Sequence, residues 1–184
     1  MDSEQFRCIF NPRSVAVIGA SNTFGKWGFN IFNRVLASGE GRVVYPVNAE
    51  SSEVLGRRAY ESIIDVPEPV ELAVITVPPG FVPNIVYDCA QNGVRVAEII
   101  TAGFGEVGEE GGEVERRMVE AAKESGMRLV GPNSMGHLDS HSDFYTSPWI
   151  TGVERGGVGL ISQSGNFGIN VIRTGMARGI CFSK

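Results

Sequence analysis

Ser21, Asn22 and Thr23 lie between two glycines, Gly19 and Gly25, and Lys26 follows the second, in the stretch VAVIGASNTFGKWGF. Side-chain donors, a point charge and backbone N–H groups exposed at a glycine turn together make an anion site, and phosphate is the anion such loops commonly hold. The two standard phosphate loops both fail on spacing. The dinucleotide pattern G-x-G-x-x-G needs glycine at position 21, which is Ser21, and an acid after the second strand, where Asn48 stands and Glu50 comes two residues late. The P-loop G-x-x-x-x-G-K-[ST] needs four residues between its glycines and a hydroxyl after the lysine. Here five residues separate Gly19 from Gly25, and Trp27 follows Lys26. What survives is the physics of the turn and the helix start.

Four further stretches carry groups of the same kind. In TVPPGFVP, proline ends the strand at Val77, and the paired prolines from Pro78 make a stiff wall. In IITAGFGEVGEEGG, Thr101, Ala102 and Gly103 let a ligand approach the backbone, and Glu106, Glu109 and Glu110 behind them read as a solvated lead-in to a helix, not as a metal site. In GPNSMG, Asn133 can hydrogen-bond an amide or a carboxylate. His137 and His141 just beyond it read as surface-loop histidines; Asp139 or Asp143 is the orienting partner a catalytic histidine there would use. LISQSGNFG is not the G-x-S-x-G nucleophile elbow, because Ser162 precedes Gln163 where glycine is needed. Ser164 followed by Gly165 is a good N-cap, and the helix it opens can accept a phosphate.

These loops need a frame that brings them together. Apolar runs rich in Val and Ile recur at 15–18, 43–47, 72–77, 96–100, 129–130 and 158–161, separated by amphipathic stretches at 27–38, 82–92, 113–125 and 166–177. Strand alternating with helix, with strands apolar on both faces, predicts an α/β fold: a Rossmann-like doubly wound parallel sheet. In such a sheet ligands lie at the carboxyl ends of the strands, where the first four loops would meet. The stretch 138–157 has no periodicity and is polar and turn-rich, so it is expected to separate a domain at 1–150 from a second strand–turn–helix beginning at 151–184.

Composition narrows the function. A net charge of -5 argues against nucleic acid as the main partner. No run approaches the ~20 apolar residues of a membrane helix, and MDSEQFRC is too polar for a signal peptide. Cys8, Cys89 and Cys181 make no metal-binding spacing and read as buried or incidental thiols of a reducing cytoplasm, so cytoplasmic localisation and no metal site are expected.

In this order and at these spacings, FNPRSVAVIGAS, GK at 25–26, YPVN, LAVITVPP, GVRVAEIITAGFGE, GMRLVGPNSMG and GLISQSG resemble one family, the coenzyme A-binding domain of the nucleoside-diphosphate-forming acyl-CoA synthetases. The group includes ADP-forming acetate–CoA ligase and the α subunit of succinyl-CoA synthetase. The resemblance implies coenzyme A as the ligand, held by Gly19, Ser21, Asn22, Thr23, Gly25, Lys26, Asn48, Val77, Pro78, Thr101, Ala102, Gly103 and Asn133. It implies that 151–184 open a flavodoxin-like domain whose Ser162, Ser164 and Gly165 stabilise a phosphohistidine. That histidine lies outside these residues, so no catalytic residue is expected among them and the chain alone is expected to be inactive. An ATP-grasp domain or subunit is the implied partner. Where the family usually has a lysine close after PVN, this chain reads Asn48-Ala49-Glu50. Two rival readings are a coenzyme A- or nucleotide-sensing regulatory domain, as in fusions to acetyltransferases, and a nicotinamide-dependent oxidoreductase. The second predicts an acid at position 48 and G-x-G-x-x-G, and the sequence has neither.

Overall fold

The computed structural model describes residues 2–38 and 41–184. The chain opens with helix α1 (Ser3–Phe10) and continues through β1 (Ser14–Ile18), α2 (Trp27–Ala37) and β2 (Val43–Val47). A small hairpin, β3 (Glu53–Val54) and β4 (Arg57–Arg58), precedes β5 (Leu72–Ile75), α3 (Val82–Gln91), β6 (Val96–Ile99), α4 (Glu109–Ser125) and β7 (Arg128–Val130). A second hairpin, β8 (Leu138–Asp139) and β9 (Phe144–Tyr145), leads to α5 (Gly165–Met176).

The five longer strands form one parallel sheet in the order β2-β1-β5-β6-β7. Counted along the chain this is 2-1-3-4-5, the flavodoxin-like form of the doubly wound sheet, and its topological switch point lies between β1 and β5. Alternation puts side chains on both faces. Val15 and Val17 pack with Cys8, Ile9, Ile31, Phe32 and Val35 of α1 and α2. Ala16 and Ile18 pack on the other face with Val82, Val86 and Cys89 of α3 and Met118 and Ala122 of α4. Both faces are covered, which is why the strands read as continuous apolar runs.

Besides the β3–β4 hairpin, which no apolar run announces, and β5 ending at Ile75 rather than Val77, the structure departs from the expected elements in four places. Helix α1 was not expected. Its signal is short but present: Asp2 accepts from the Gln5 N–H at 2.7 Å while the Gln5 side chain accepts from the Asp2 N–H, a capping box. Helix α4 begins at Glu109, four residues earlier than the periodicity suggests, because Glu109 and Glu110 favour a helix N-terminus and two glycines hide the apolar repeat. A Cβ on Gly111 would lie 2.1 Å from the Phe104 carbonyl oxygen, so glycine there permits close packing.

The stretch 138–157 carries the β8–β9 hairpin, which was not expected, and packs on the first sheet. Phe144 is fully buried against the first sheet, and the Ser142 hydroxyl donates to the Phe10 carbonyl at 2.6 Å. Its polar side chains are spent on backbone groups of α1, of His137 and of the segment at 182–183, which the composition does not reveal. Lastly, 158–161 is not a strand but a single bridge from Val158 to Phe182. A strand exists only where a neighbour supplies hydrogen bonds, and here that neighbour extends over a few residues. Helix α5 packs instead on the hairpin through Leu138, Tyr145, Ile172 and Phe182, in a cluster that runs across position 150.

Candidate functional site

The glycine turn after β1 stands at the switch point. Gly19 sits at φ +91°, and its N–H donates to the Val47 carbonyl of β2. Helix α2 starts directly above it. A Cβ on Gly28 would fall 1.8 Å from the Gly19 carbonyl oxygen, so the glycine in GKWGF lets the first turn of α2 press onto the loop. No side chain caps α2, whose N-cap residue is Lys26. Its first N–H groups and its positive dipole end therefore face the crevice without a protein acceptor from a capping side chain.

The crevice between these groups and the loops after β5, β6 and β7 encloses about 610 Å³. Its floor is stitched by hydrogen bonds. The Thr76 hydroxyl donates to the Ile18 carbonyl at 3.0 Å, the Thr101 hydroxyl to the Val77 carbonyl at 2.7 Å, and the Asn133 N–H to the Thr101 carbonyl at 3.0 Å. Asn133 holds φ +57°, a left-handed conformation that asparagine tolerates better than most residues. A second cavity of about 370 Å³ adjoins the first through Gly19, Asn48, Val77 and Pro78. Ile18, Val47, Ile63, Phe81 and Ile85 make its walls apolar, with Glu50, Glu61 and Asp88 at its edge.

Nine of the sequence-predicted residues line the crevice together: Gly19, Ser21, Lys26, Asn48, Val77, Pro78, Thr101, Ala102 and Asn133. Four do not. Asn22 donates to the Glu53 carbonyl and accepts from the Leu55 N–H, both at 2.9 Å, so its amide holds the β3–β4 hairpin. Thr23 meets Ser21 through its N–H, and Gly25 at φ +87° shapes the turn. The Gly103 N–H is taken by the Glu106 carboxylate at 2.6 Å, which holds that carboxyl below its usual range. Glu106 is exposed in the turn that leads into α4, as expected, and also caps its own loop.

Asn48 lines the crevice, yet both ends of its side chain are engaged. It donates to the Ala20 carbonyl at 2.7 Å and accepts from the N–H groups of Glu50 and Ser51 at 2.8 and 2.9 Å. A ribose-binding acid is absent here because the position serves as a brace.

Residues 13–139 match the family described as CoA binding domain. The chain belongs to the coenzyme A-binding domain family. It is 44% identical over 175 residues to the α subunit of acetate–CoA ligase (ADP-forming) II from Pyrococcus furiosus, covering 95% of this chain and 38% of that one. It is 45% identical over 162 residues to acetate–CoA ligase (ADP-forming) II from Archaeoglobus fulgidus, covering 88% of this chain and 24% of the relative. Among solved structures, the dinucleotide-forming acetyl-coenzyme A synthetase 1 of Candidatus Korarchaeum cryptofilum, in complex with phosphate and ADP, superposes with a TM-score of 0.91. It is 37% identical, covering 98% of this chain and 38% of that one. The chain thus spans well under half the length of these relatives.

Beyond the matched residues 13–139, Ser162, Ser164 and Gly165 lie apart from the crevice, in a cavity of about 490 Å³ under α5. Ser164 caps α5, accepting from the Phe167 N–H at 3.4 Å, and a Cβ on Gly165 would strike the Met135 side chain. Met135 lines both cavities and is the contact between them.

His137 overturns its reading as a surface histidine. Its Nδ1 lies 3.2 Å from Oε1 of Glu98, a carboxylate with no exposed surface in β6, and its Nε2 lies 2.6 Å from the Ile9 carbonyl. Neither Asp139 nor Asp143 is the close partner; Asp139 accepts from the His141 N–H. His141 itself is exposed. Burial alone would push the Glu98 carboxyl up, but the His137 charge and hydrogen bonds from His137, Thr146 and Ser134 outweigh it and hold it low. Burial would likewise push His137 down, but Glu98, the Ile9 carbonyl and Asp139 outweigh that and raise it.

Sequence reasoning missed Glu98, Trp27, Gly28, Thr76, Ser134 and Met135 as residues of the site or its support. Glu98 had a visible signal, a charge in the middle of the apolar run VAEII. Among the described residues, Glu4, Cys8 and Glu71 are a cluster of metal-ligating types, but Arg7 occupies it, with 2.6 Å contacts to both glutamates. Burial pushes the Cys89 thiol up to about 12, which makes it an inert core group. No described helix is long and apolar enough to cross a membrane.

Proposed function

We propose that this chain is the coenzyme A-binding portion of an ADP-forming acid–CoA ligase, and that the switch-point crevice holds the coenzyme. The observation that carries the reading is the convergence, at one crevice of a chain in this family, of an uncapped helix N-terminus, a lysine with no ion pair among the described residues and an adjoining apolar cavity. Two linked cavities of about 610 and 370 Å³ suit a long ligand with one anionic, one aromatic and one extended part. Lys26, Ser21 and the start of α2 would hold phosphate. The apolar slot with carboxylates at its edge would hold a base carrying an exocyclic amine, and Val77, Pro78, Thr101, Ala102 and Asn133 would line the path of the pantetheine arm.

In this reading the acid is activated elsewhere in the complete protein, through a phosphohistidine and an ATP-grasp domain or subunit. Ser162, Ser164 and the start of α5 stand ready to stabilise that phosphate. His137 is not the phosphoryl carrier, because both its ring nitrogens face acceptor oxygens.

Calorimetry of the chain with coenzyme A, dephospho-coenzyme A, NAD and ATP tests the proposal. Coenzyme A is expected to bind tightest; tightest binding of NAD would refute it.

A further inference from the structure

Glu98 is fully buried in a central strand, where a charge is costly unless it is paired. All its partners meet one oxygen. The Ser134 hydroxyl donates to Oε1 at 2.9 Å and His137 Nδ1 lies 3.2 Å from it, while Oε2 has no hydrogen-bond partner among the described residues. Nδ1 of His137 faces the carboxylate and, at 3.2 Å, the Thr146 hydroxyl, which can donate or accept; Nε2 faces the Ile9 carbonyl, so the two obligate acceptors are the carboxylate and the carbonyl. A neutral imidazole has one N–H and satisfies one of them; the imidazolium satisfies both.

The pair reaches the crevice through Ser134. That hydroxyl donates to Glu98 and also accepts from the Gly136 N–H at 3.1 Å. The Ser134 N–H donates to the Ile99 carbonyl at 3.2 Å, so the loop is pinned to β6 at two points. Asn133, Ser134 and Met135 on this loop line the crevice, and Met135 is also the contact with α5.

We infer that Glu98 and His137 are positioning residues, a charge-paired brace that holds the Asn133–Met135 segment in place for coenzyme A, and that loss of the His137 proton loosens this segment and weakens binding. This rests on the reading that the crevice takes coenzyme A. A neutral His137 leaves the buried carboxylate without a charged partner, and the loop must then shift or admit water to solvate it.

The charged and titratable groups around His137 are few. Glu98 faces it from β6, and Thr146 from the strand end after β9, with its hydroxyl 3.2 Å from Nδ1. Asp139 lies on its own hairpin and meets Lys184 at 3.6 Å. Arg42 stands 4.9 Å from the centre of the Phe144 ring, which in turn packs on the imidazole. From α1, the Ile9 carbonyl and the Phe10 ring close the site.

The test compares the natural chain with Ser134→Ala and with the double substitution Glu98→Gln, His137→Gln. Coenzyme A affinity is measured by calorimetry from pH 6.5 to 9, and melting is followed in parallel. Titration of the coenzyme itself cancels in the comparison. The natural chain is expected to lose on the order of tenfold more affinity across this range than either variant, because only it carries both the proton and the link. Nitrogen-detected NMR at pH 7.5 is expected to show His137 protonated on both ring nitrogens, with His141, the one other histidine, as internal reference. Binding of coenzyme A with the same pH profile in all three proteins, or a singly protonated His137 at pH 7.5, overturns the inference. If the double variant does not fold, Ser134→Ala, which removes the link and keeps the charge pair, decides the affinity arm. A chain that binds no coenzyme A at any pH defeats the proposed function instead, and the NMR result still decides the protonation of the brace.

Discussion

Lys26 carries the one charged side chain among the residues lining the crevice, and among the described residues no carboxylate pairs with it. A lysine so placed contributes to a ligand rather than to the fold. Lys26→Ala is therefore expected to weaken coenzyme A binding by about 1–3 kcal/mol, the scale of a charge-assisted hydrogen bond, and to leave the melting temperature of the free protein nearly unchanged. Calorimetry and thermal melting on the same preparation check it; a large loss of stability with unchanged affinity would make the lysine structural. Ser21 and Asn22, adjacent in sequence and equivalent as donors on paper, divide in the structure. Ser21 lines the crevice, whereas both ends of the Asn22 amide are consumed by the β3–β4 hairpin.

The loops at the carboxyl ends of the strands are held by side chains that bridge one element to the next. Asn48 is the clearest case, since it ties the end of β2 to the glycine turn after β1 with one donated and two accepted hydrogen bonds. Asn48→Asp keeps the acceptors and loses the donor, setting a carboxylate against the Ala20 carbonyl. It is expected to cost about 1–3 kcal/mol of stability, read by chemical denaturation, and to weaken coenzyme A binding by adding negative charge to the crevice. Unchanged stability would show that the Ala20 contact contributes nothing. At this scale most of the parallel sheet was legible from the sequence, because strands buried on both faces need long apolar runs and their helices need amphipathic ones. The segment 158–161 was apolar too and is not a strand, because pairing depends on a neighbour that an apolar run does not reveal.

Partly buried charge pairs give the whole molecule a defined pH window. Glu71 is pushed up by burial but held low, on balance, by the Arg7 guanidinium and the Arg13 N–H, and Glu98 is held low in its pair with His137. Depressed carboxyls contribute stability above their unfolded value of about 4.3, lost as pH falls through the folded value. His137 is raised, so its contribution is complete below about 6.5 and is lost as pH rises through its folded value. The melting temperature is thus expected to be highest between about pH 5 and 6.5 and to fall on either side. Melting curves across pH 3–9 check this. The alkaline decline should be absent in the double substitution Glu98→Gln, His137→Gln, and a decline of equal size there would assign it to other groups.

The sequence by itself determined the layered α/β architecture, the places where strands end, and the set of loops that gather at one end of the sheet. Those follow from periodicity and from glycine and proline, which act within a few residues. Tertiary structure alone decided which donors stay free and which are spent, because hydrogen bonds such as Asn22 to Glu53 or Ser134 to Glu98 join residues 31 and 36 positions apart. It also decided that the sheet takes the 2-1-3-4-5 order, which places the switch point between β1 and β5. The same long-range folding largely enclosed a histidine that its polar neighbours make look exposed. Loop composition reports which residues can be wetted, and burial depends on what the loop folds back against, here α1 and the edge of β6.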